Sequence, residues 1–383
     1  MQQLFILMVF VWTVGRLFQS AGLPLVFGEV LAGIIVGPTL LNIVHPENEV
    51  IAVASELGIF FLMLHTGLKT DHRELMESSV SSVLIALGGM GLTFTLIMGT
   101  AWGLGAEPLV AAFVALCASI SALPLMARVF KDFGIDGTRV ARASIGAAVA
   151  NDILGLIAFS MLLAFAQDGA MSWGTLAVLT LKTVAFFSIV IALGLASAPY
   201  LRTSFAKGKK AFTLTLVVAL LLGTIAEWMG LHAIIGAFLA GLFMQEELID
   251  TDTFAKIEDR FYGLAYSFFG PVFFATLAFH LDFSALAKAP VALALIVLLA
   301  IAGKIIGSAL PALLRGFSVK ESTGIGLAMN CRGAVELIVA SVGLEAGIID
   351  GTVFSILVIM AFATTIVSIL GFIPLAPRLR PAV

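Results

Sequence analysis

Charge is what this 383-residue sequence has least of. Only 12% of its residues are Asp, Glu, Lys or Arg, about half the roughly 25% usual in soluble domains. Charged side chains are expensive in hydrocarbon, and 60% of the residues here are hydrophobic, with a mean hydropathy of +1.11. Both facts point to a chain that lives in a bilayer. Cysteine is nearly absent too: Cys117 and Cys331 sit in apolar runs without zinc-type spacing, and are read as small packing residues. The apolar start, Met1 to Phe18, lacks the basic region of a cleaved signal peptide. No nucleophile–base constellation, phosphate loop or metal cluster is present, so nothing points to an enzyme, a cofactor or a nucleic-acid partner. Neither end carries a long polar stretch from which a soluble domain could be built. The chain is expected to work within the membrane.

What is there is a series of long apolar runs. A spanning helix needs about 20 apolar residues, and the polar breaks define thirteen candidate spans, roughly 3–18, 22–42, 53–69, 79–104, 107–132, 138–166, 174–200, 210–228, 231–247, 262–281, 290–314, 319–346 and 351–376. The basic residues test that count. Ends and loops after odd-numbered spans hold Arg16, Lys69, Arg73, Arg128, Lys131, Arg139, Arg142, Arg202, Lys207, Lys209, Lys210, Lys256, Arg260, Arg315, Lys320, Arg378 and Arg380. Those after even-numbered spans hold only Lys288. The positive-inside rule then puts the N-terminus outside and the C-terminus in the cytoplasm. The runs also repeat. Gly28-Glu-Val-Leu31-Ala32-Gly33 returns as Gly236-Ala-Phe-Leu239-Ala240-Gly241, and Phe60-Phe61 with His65 and Asp71 returns as Phe273-Phe274 with His280 and Asp282. Both pairs lie seven spans apart, an odd offset that implies opposite orientations in the membrane. The expected plan is therefore two inverted repeats, about 3–166 and 210–376, joined by a linker helix at about 174–200.

A few polar residues interrupt the apolar runs. Asp152 lies mid-run after Asn151, with no neutralising neighbour in sequence. Desolvation works against a bare charge there, so the carboxyl can hold a proton or a cation in turn but not both. The plainer alternative is a buried salt bridge with Lys304 that holds helices together. Lys304 and Arg332 are flanked by glycines and small residues, which permit close helix approach, while Lys182 lies near a span edge and can snorkel. Two spans look broken: the fifth at Ser119-Ile-Ser121-Ala-Leu-Pro124, where the proline removes a helical hydrogen bond, and the twelfth at Asn330-Cys-Arg332-Gly333. Unwound carbonyls at mid-membrane supply cation ligands, and the Ser119 and Ser121 hydroxyls add oxygens. An ordinary proline kink with serines satisfying freed backbone groups is the competing account. Arg332 and Glu336, four apart, can pair on one helical face. Glu29 is read as capping an adjacent helix or hydrogen-bonding backbone, and Glu227 as solvated near an outer end. His65, His232 and His280 lie near span ends, as interfacial histidines do.

With these residues in hand, the chain resembles the membrane domain of monovalent cation/proton antiporters, in the branch of Kef-type and sodium/proton exchangers. The carriers are Gly28 to Pro38, Glu56-Leu-Gly, Ala147 to Gly155, His232 to Gly241, Gly303-Lys304-Ile-Ile-Gly307 and Arg332-Gly-Ala-Val-Glu336-Leu-Ile-Val. The resemblance implies an all-α polytopic fold of about thirteen spans, an inverted repeat with two crossed discontinuous helices, and a homodimer moving ions by an elevator-like shift of a core. It makes Asp152 the ion-binding aspartate and Asn151 its neighbour. Lys304, Arg332 and Glu336 become charge compensators, and Pro124 and Gly333 mark the helix breaks. The bound metal would be the transported cation itself, K+ or Na+ at Asp152, exchanged against H+. Electrogenic members typically carry two adjacent aspartates; Asn151-Asp152 is similar to electroneutral branches and to plant and fungal cation/proton exchangers, which implies 1:1 exchange. A titrating Lys304 would supply a second proton and complicate that count. Lys69 stands where a glutamate is often found after Thr66-Gly67-Leu68. Kef-type systems append a regulatory domain; the sequence stops at Val383, so none is expected.

Two other readings share such an architecture. A Kef-type gated potassium efflux channel would need no proton, yet no selectivity-filter run such as Thr-Val-Gly-Tyr-Gly occurs. An organic-anion or bile-acid-type sodium symporter would leave Asn151-Asp152 and Lys304 without a purpose. The resemblance tilts the ion slightly toward potassium, in a cell-membrane protein serving pH homeostasis.

Overall fold

The computed structural model describes residues 1–20, 24–69, 80–168, 181, 185–186, 189–190, 211–229, 231–243, 251–283 and 289–379. Most of the expected seventh span, Lys182 included, lies outside these, as do Asp71, Arg73, Arg202, Lys207, Lys209, Lys210, Lys288 and Arg380. Every regular element among the described residues is helical. In a bilayer this is required, because backbone polar groups have no water to bond and must be satisfied within the segment. Nine helices among the described residues are long and apolar enough to cross a membrane, and three shorter apolar ones accompany them. The protein is a multi-pass membrane protein.

Two compact units form, each drawing on both halves of the sequence. The first comprises residues 1–72 and 167–280, the second 73–166 and 281–383. In the first unit α1 (Gln2–Ser20), α2 (Leu25–Val36), α3 (Glu49–Lys69), α8 (Ala211–Trp228), α9 (Ala233–Phe243), α10 (Thr251–Leu264) and α11 (Gly270–Leu277) pack through glycines. A Cβ on Gly28 of α2 would stand 2.7 Å from the Gly15 Cα of α1, and one on Gly33 would collide with the Ala275 carbonyl of α11. The same happens on α9: Gly236 abuts Gly223 and Leu222 of α8, and Gly241 abuts the Leu64 carbonyl of α3. So the two glycine pairs paired by sequence do equivalent work on two sets of helices.

In this unit the structure corrects two boundaries. The second span ends at Val36, short of 42, because residues 37–44 turn back onto the helix end: the Leu41 amide reaches Ile35 O, and the Ile43 and Val44 amides reach Val36 O. The tenth begins much earlier than 262, since Lys256 and Arg260 lie on the exposed face of α10 and not in a loop. From Leu264 that helix passes through a π-helical turn at Ala265–Phe269 directly into α11.

The second unit holds α4 (Val80–Gly103), α5 (Pro108–Cys117), α6 (Leu123–Asp132), α7 (Arg139–Asp168), α12 (Pro290–Leu314), α13 (Val319–Met329), α14 (Ala334–Glu345) and α15 (Gly351–Leu375). Ser318 and Glu321 form a capping box at the start of α13, and Asp350 caps α15 through the Val353 amide at 2.8 Å. A core of Met126, Phe130, Ala147, Ile325, Met329 and Phe372 packs α6, α7, α13 and α15 together.

Candidate functional site

The two breaks expected from sequence are present, and they meet. In the fifth span α5 stops at Cys117 and α6 starts at Leu123, leaving residues 118–122 irregular. In the twelfth, α13 stops at Met329 and α14 starts at Ala334. The Ala122 amide donates to Cys331 O at 2.9 Å, and Ser121 Oγ donates to Met329 O at 2.7 Å. Pro124 plays a different part from the one expected. It occupies the first turn of α6, after Leu123, where a missing N–H breaks no helical bond. The proline starts a helix rather than interrupting one, and the unwound stretch lies before it.

Broken helices orphan backbone groups, and at mid-membrane each must find a partner. The Asn151 amide on α7 serves the first break twice. Its Oδ1 accepts the Ser121 N–H at 2.9 Å, and its Nδ2 donates to Ser119 O at 3.1 Å. Lys304 Nζ, from α12, donates to the same Ser119 carbonyl. Arg332 Nη1 crosses from the second break to the first, donating to Ile120 O at 3.1 Å and Cys117 O at 3.3 Å. Lys304, Arg332, Asn151 and Ser119 are fully buried.

Asp152 is the exception in this accounting. It is 2% exposed, and neither carboxyl oxygen has a hydrogen-bond partner. The salt bridge with Lys304 does not form within 4 Å among the described residues, although the ammonium lies within electrostatic reach. An aspartate one residue past a fully engaged asparagine thus keeps both oxygens free of hydrogen bonds. The serine hydroxyls are less free: Ser119 Oγ donates to Ala115 O at 2.6 Å, as Ser121 Oγ does to Met329 O, so only their lone pairs remain for a cation. Arg332 and Glu336 lie 3.7 Å apart on one face as their spacing implies, but the Glu336 oxygens make no hydrogen bond. Both cysteines are free and buried at the breaks.

The remaining polar residues fall elsewhere. In the first unit, Glu29 is buried on α2 and Glu227 is exposed on α8. His280 is exposed at a helix end, as an interfacial histidine would be. His65 is buried within the protein: it is 4% exposed, 3.2 Å from Glu258 and edge-on to the rings of Tyr262 and Tyr266. Lys69 joins the same Glu258 oxygen at 2.9 Å. Sequence reasoning also missed the hydroxyls of α15 that meet the second break, Thr365 and Ser368, whose only signal was a polar trio with Thr364 in an apolar run.

Helices broken at mid-membrane, with buried charges around an uncommitted carboxylate, define a secondary transporter of the antiporter type. The chain belongs to the sodium/hydrogen exchanger transmembrane family, whose model matches residues 5–376. It is 30% identical over 359 residues, 92% of this chain and 90% of the relative, to the Na(+)/H(+)-K(+) antiporter GerN of Bacillus cereus. It is 28% identical, over 93% of both chains, to a Na(+)/H(+) antiporter of Enterococcus hirae. The fold matches that of the sodium proton antiporter MjNhaP1 of Methanocaldococcus jannaschii, with a TM-score of 0.73, 19% identity and coverage of 98% of this chain and 97% of that one.

Proposed function

We propose that this chain is a secondary-active antiporter exchanging K+ or Na+ for H+, with Asp152 as the carboxyl that takes each in turn. The observation that carries this is the buried Asp152 side chain, whose two oxygens lack partners while the adjacent Asn151 and Lys304 are hydrogen-bonded to the first break. A proton neutralises such a group and so does a monovalent cation, but one carboxylate cannot hold both, and that competition couples the two fluxes. The hydroxyl lone pairs of Ser119 and Ser121 lie in the first break and are suited to complete a cation's coordination, whereas the Ser119 carbonyl already accepts from Asn151 Nδ2 and Lys304 Nζ. Lys304, Arg332 and Glu336 balance charge around the breaks. The names of the relatives, one for both Na+ and K+, support either ion.

The single carboxylate beside Asn151 favours electroneutral 1:1 exchange. The proposed cycle is an elevator-like alternation in which the unit bearing Asp152 moves, in a homodimer oriented with its N-terminus outside. The matched packing of Gly28 and Gly33 with Gly236 and Gly241 supports an inverted repeat. The test uses proteoliposomes with an imposed proton gradient and a pH-reporting dye, to which K+ and then Na+ are added. One cation should collapse the gradient with wild-type protein and not with Asp152→Asn. Failure of both cations with wild type would sink antiport.

A further inference from the structure

Hydroxyls on these helices have a habit. Thr93, Thr100, Thr215, Ser160 and Ser355 each donate to the carbonyl four residues back on their own helix, the usual satisfaction of a Ser or Thr in an apolar helix. Thr365 on α15 does not. Its Oγ1 accepts the Arg332 N–H at 3.0 Å and donates to Arg332 O at 3.1 Å, both 33 residues away. It is fully buried. A single hydroxyl bonded to both the N–H and the C=O of one residue holds that residue's backbone in one conformation. Asn330 adds a second tie between the same elements, its Nδ2 donating to Thr364 O at 2.9 Å and Ser368 Oγ at 3.0 Å.

The consequences run in three links. With its backbone fixed, Arg332 carries its guanidinium to Cys117 O and Ile120 O of the first break. The neighbouring carbonyls of the second break, Met329 O and Cys331 O, take the Ser121 hydroxyl and the Ala122 amide. The shape of the 118–122 stretch therefore depends on the shape of 330–333, alongside the bonds from Asn151 and Lys304. That shape is held by α15.

We propose that Thr365 is a positioning residue for ion exchange: its hydroxyl holds the second helix break in the register that gives the first break its cation-coordinating geometry. This rests on the antiport reading. It gives a residue with no charge, and no hydrogen bond to Asp152, control over cation affinity. Thr365→Val removes the hydroxyl and keeps the branched shape, and Thr365→Ser keeps the hydroxyl and loses the methyl.

The experiment measures exchange against external Na+ and K+ in proteoliposomes bearing wild type, Asp152→Asn, Thr365→Val, Thr365→Ser or Thr365→Cys, with thermal unfolding of each in detergent. Losing bonds worth about one net hydrogen bond should raise the apparent KM of Thr365→Val about tenfold, with the maximal rate changed by less than about twofold. Thr365→Ser should keep the wild-type KM, and Thr365→Cys, a weak donor and acceptor, should fall between. If the Val variant is not recovered folded, the Cys variant answers alone, and a wild-type KM there overturns the proposal. So does a Val variant with unchanged KM, or a Ser variant as impaired as Val, which would make the methyl the active part. Wild-type protein that exchanges neither ion would overturn the antiport reading and this inference together; wild-type exchange lost in Asp152→Asn, with no effect of Thr365, would overturn this inference alone.

Discussion

Asn151 occupies a position where one side chain substitutes for missing helix bonds. Its amide accepts from Ser121 N–H and donates to Ser119 O, so a planar group with both functions is needed. Asn151→Ala leaves the buried Ser121 N–H unpaired and should destabilise the protein by about 1–3 kcal/mol, read as a lower unfolding midpoint in detergent. An alanine variant as stable as wild type would show that the break does not depend on this amide. That Asn151 and Asp152 matter was legible in the sequence, because a polar pair stands out in an apolar run. Their division of labour was not. The partners of Asn151 lie 30 and 32 residues away, and only folding shows that one side chain is fully engaged while its neighbour is free.

Among the elements, the broken helices and the glycine-packed ones were foreseen to different degrees. The 330–333 break falls where the sequence placed it, since glycine and a charged residue in an apolar run leave little choice. The first break, expected over Ser119 to Pro124, covers 118–122, and the proline lies just beyond it. Proline is hostile to a helix interior but suited to a first turn, and its position alone does not say which turn it occupies. The paired glycines give a second test. Gly33→Ala would drive a methyl against the Ala275 carbonyl, a backbone atom that cannot rotate away. Overpacking of this sort should lower stability by about 1–3 kcal/mol, whereas Gly91→Ala, with nothing within 4 Å, should cost no packing. Size-exclusion of heated, detergent-solubilised protein compares them, and equal survival of the two would contradict the packing argument. His65 carries the same lesson in reverse. Its partners were not legible: α10 begins early enough to bring Glu258, Tyr262 and Tyr266 over it.

For the whole molecule, the question is charge movement. The Asp152 carboxylate, with Asn151 beside it and the Lys304 ammonium already donating to Ser119 O, should exchange one cation for one proton. The expected result is an exchange rate that does not change when a membrane potential is imposed on the proteoliposomes by a lipophilic ion gradient. A rate that rises or falls steeply with potential would mean that a second group, Lys304 or Glu336, carries a charge through the cycle. The compact units also cut across the chain: each takes segments from both halves, as expected if two repeats contribute matching helices to each unit.

Local composition and spacing by themselves determined the solvent, the helical class, most of the spans and the buried polar residues on which a mechanism could rest. These follow from short-range rules: hydrocarbon admits few charges and requires backbone bonds to close within a segment. Only the tertiary structure decided which buried groups are bonded to which. Thr365 finds Arg332, Arg332 finds the Cys117 and Ile120 carbonyls, and Asp152 finds nothing. A break in a helix announces itself in sequence, but the orphaned N–H and C=O groups it creates are satisfied by residues tens to hundreds of positions away, and no local pattern encodes that choice.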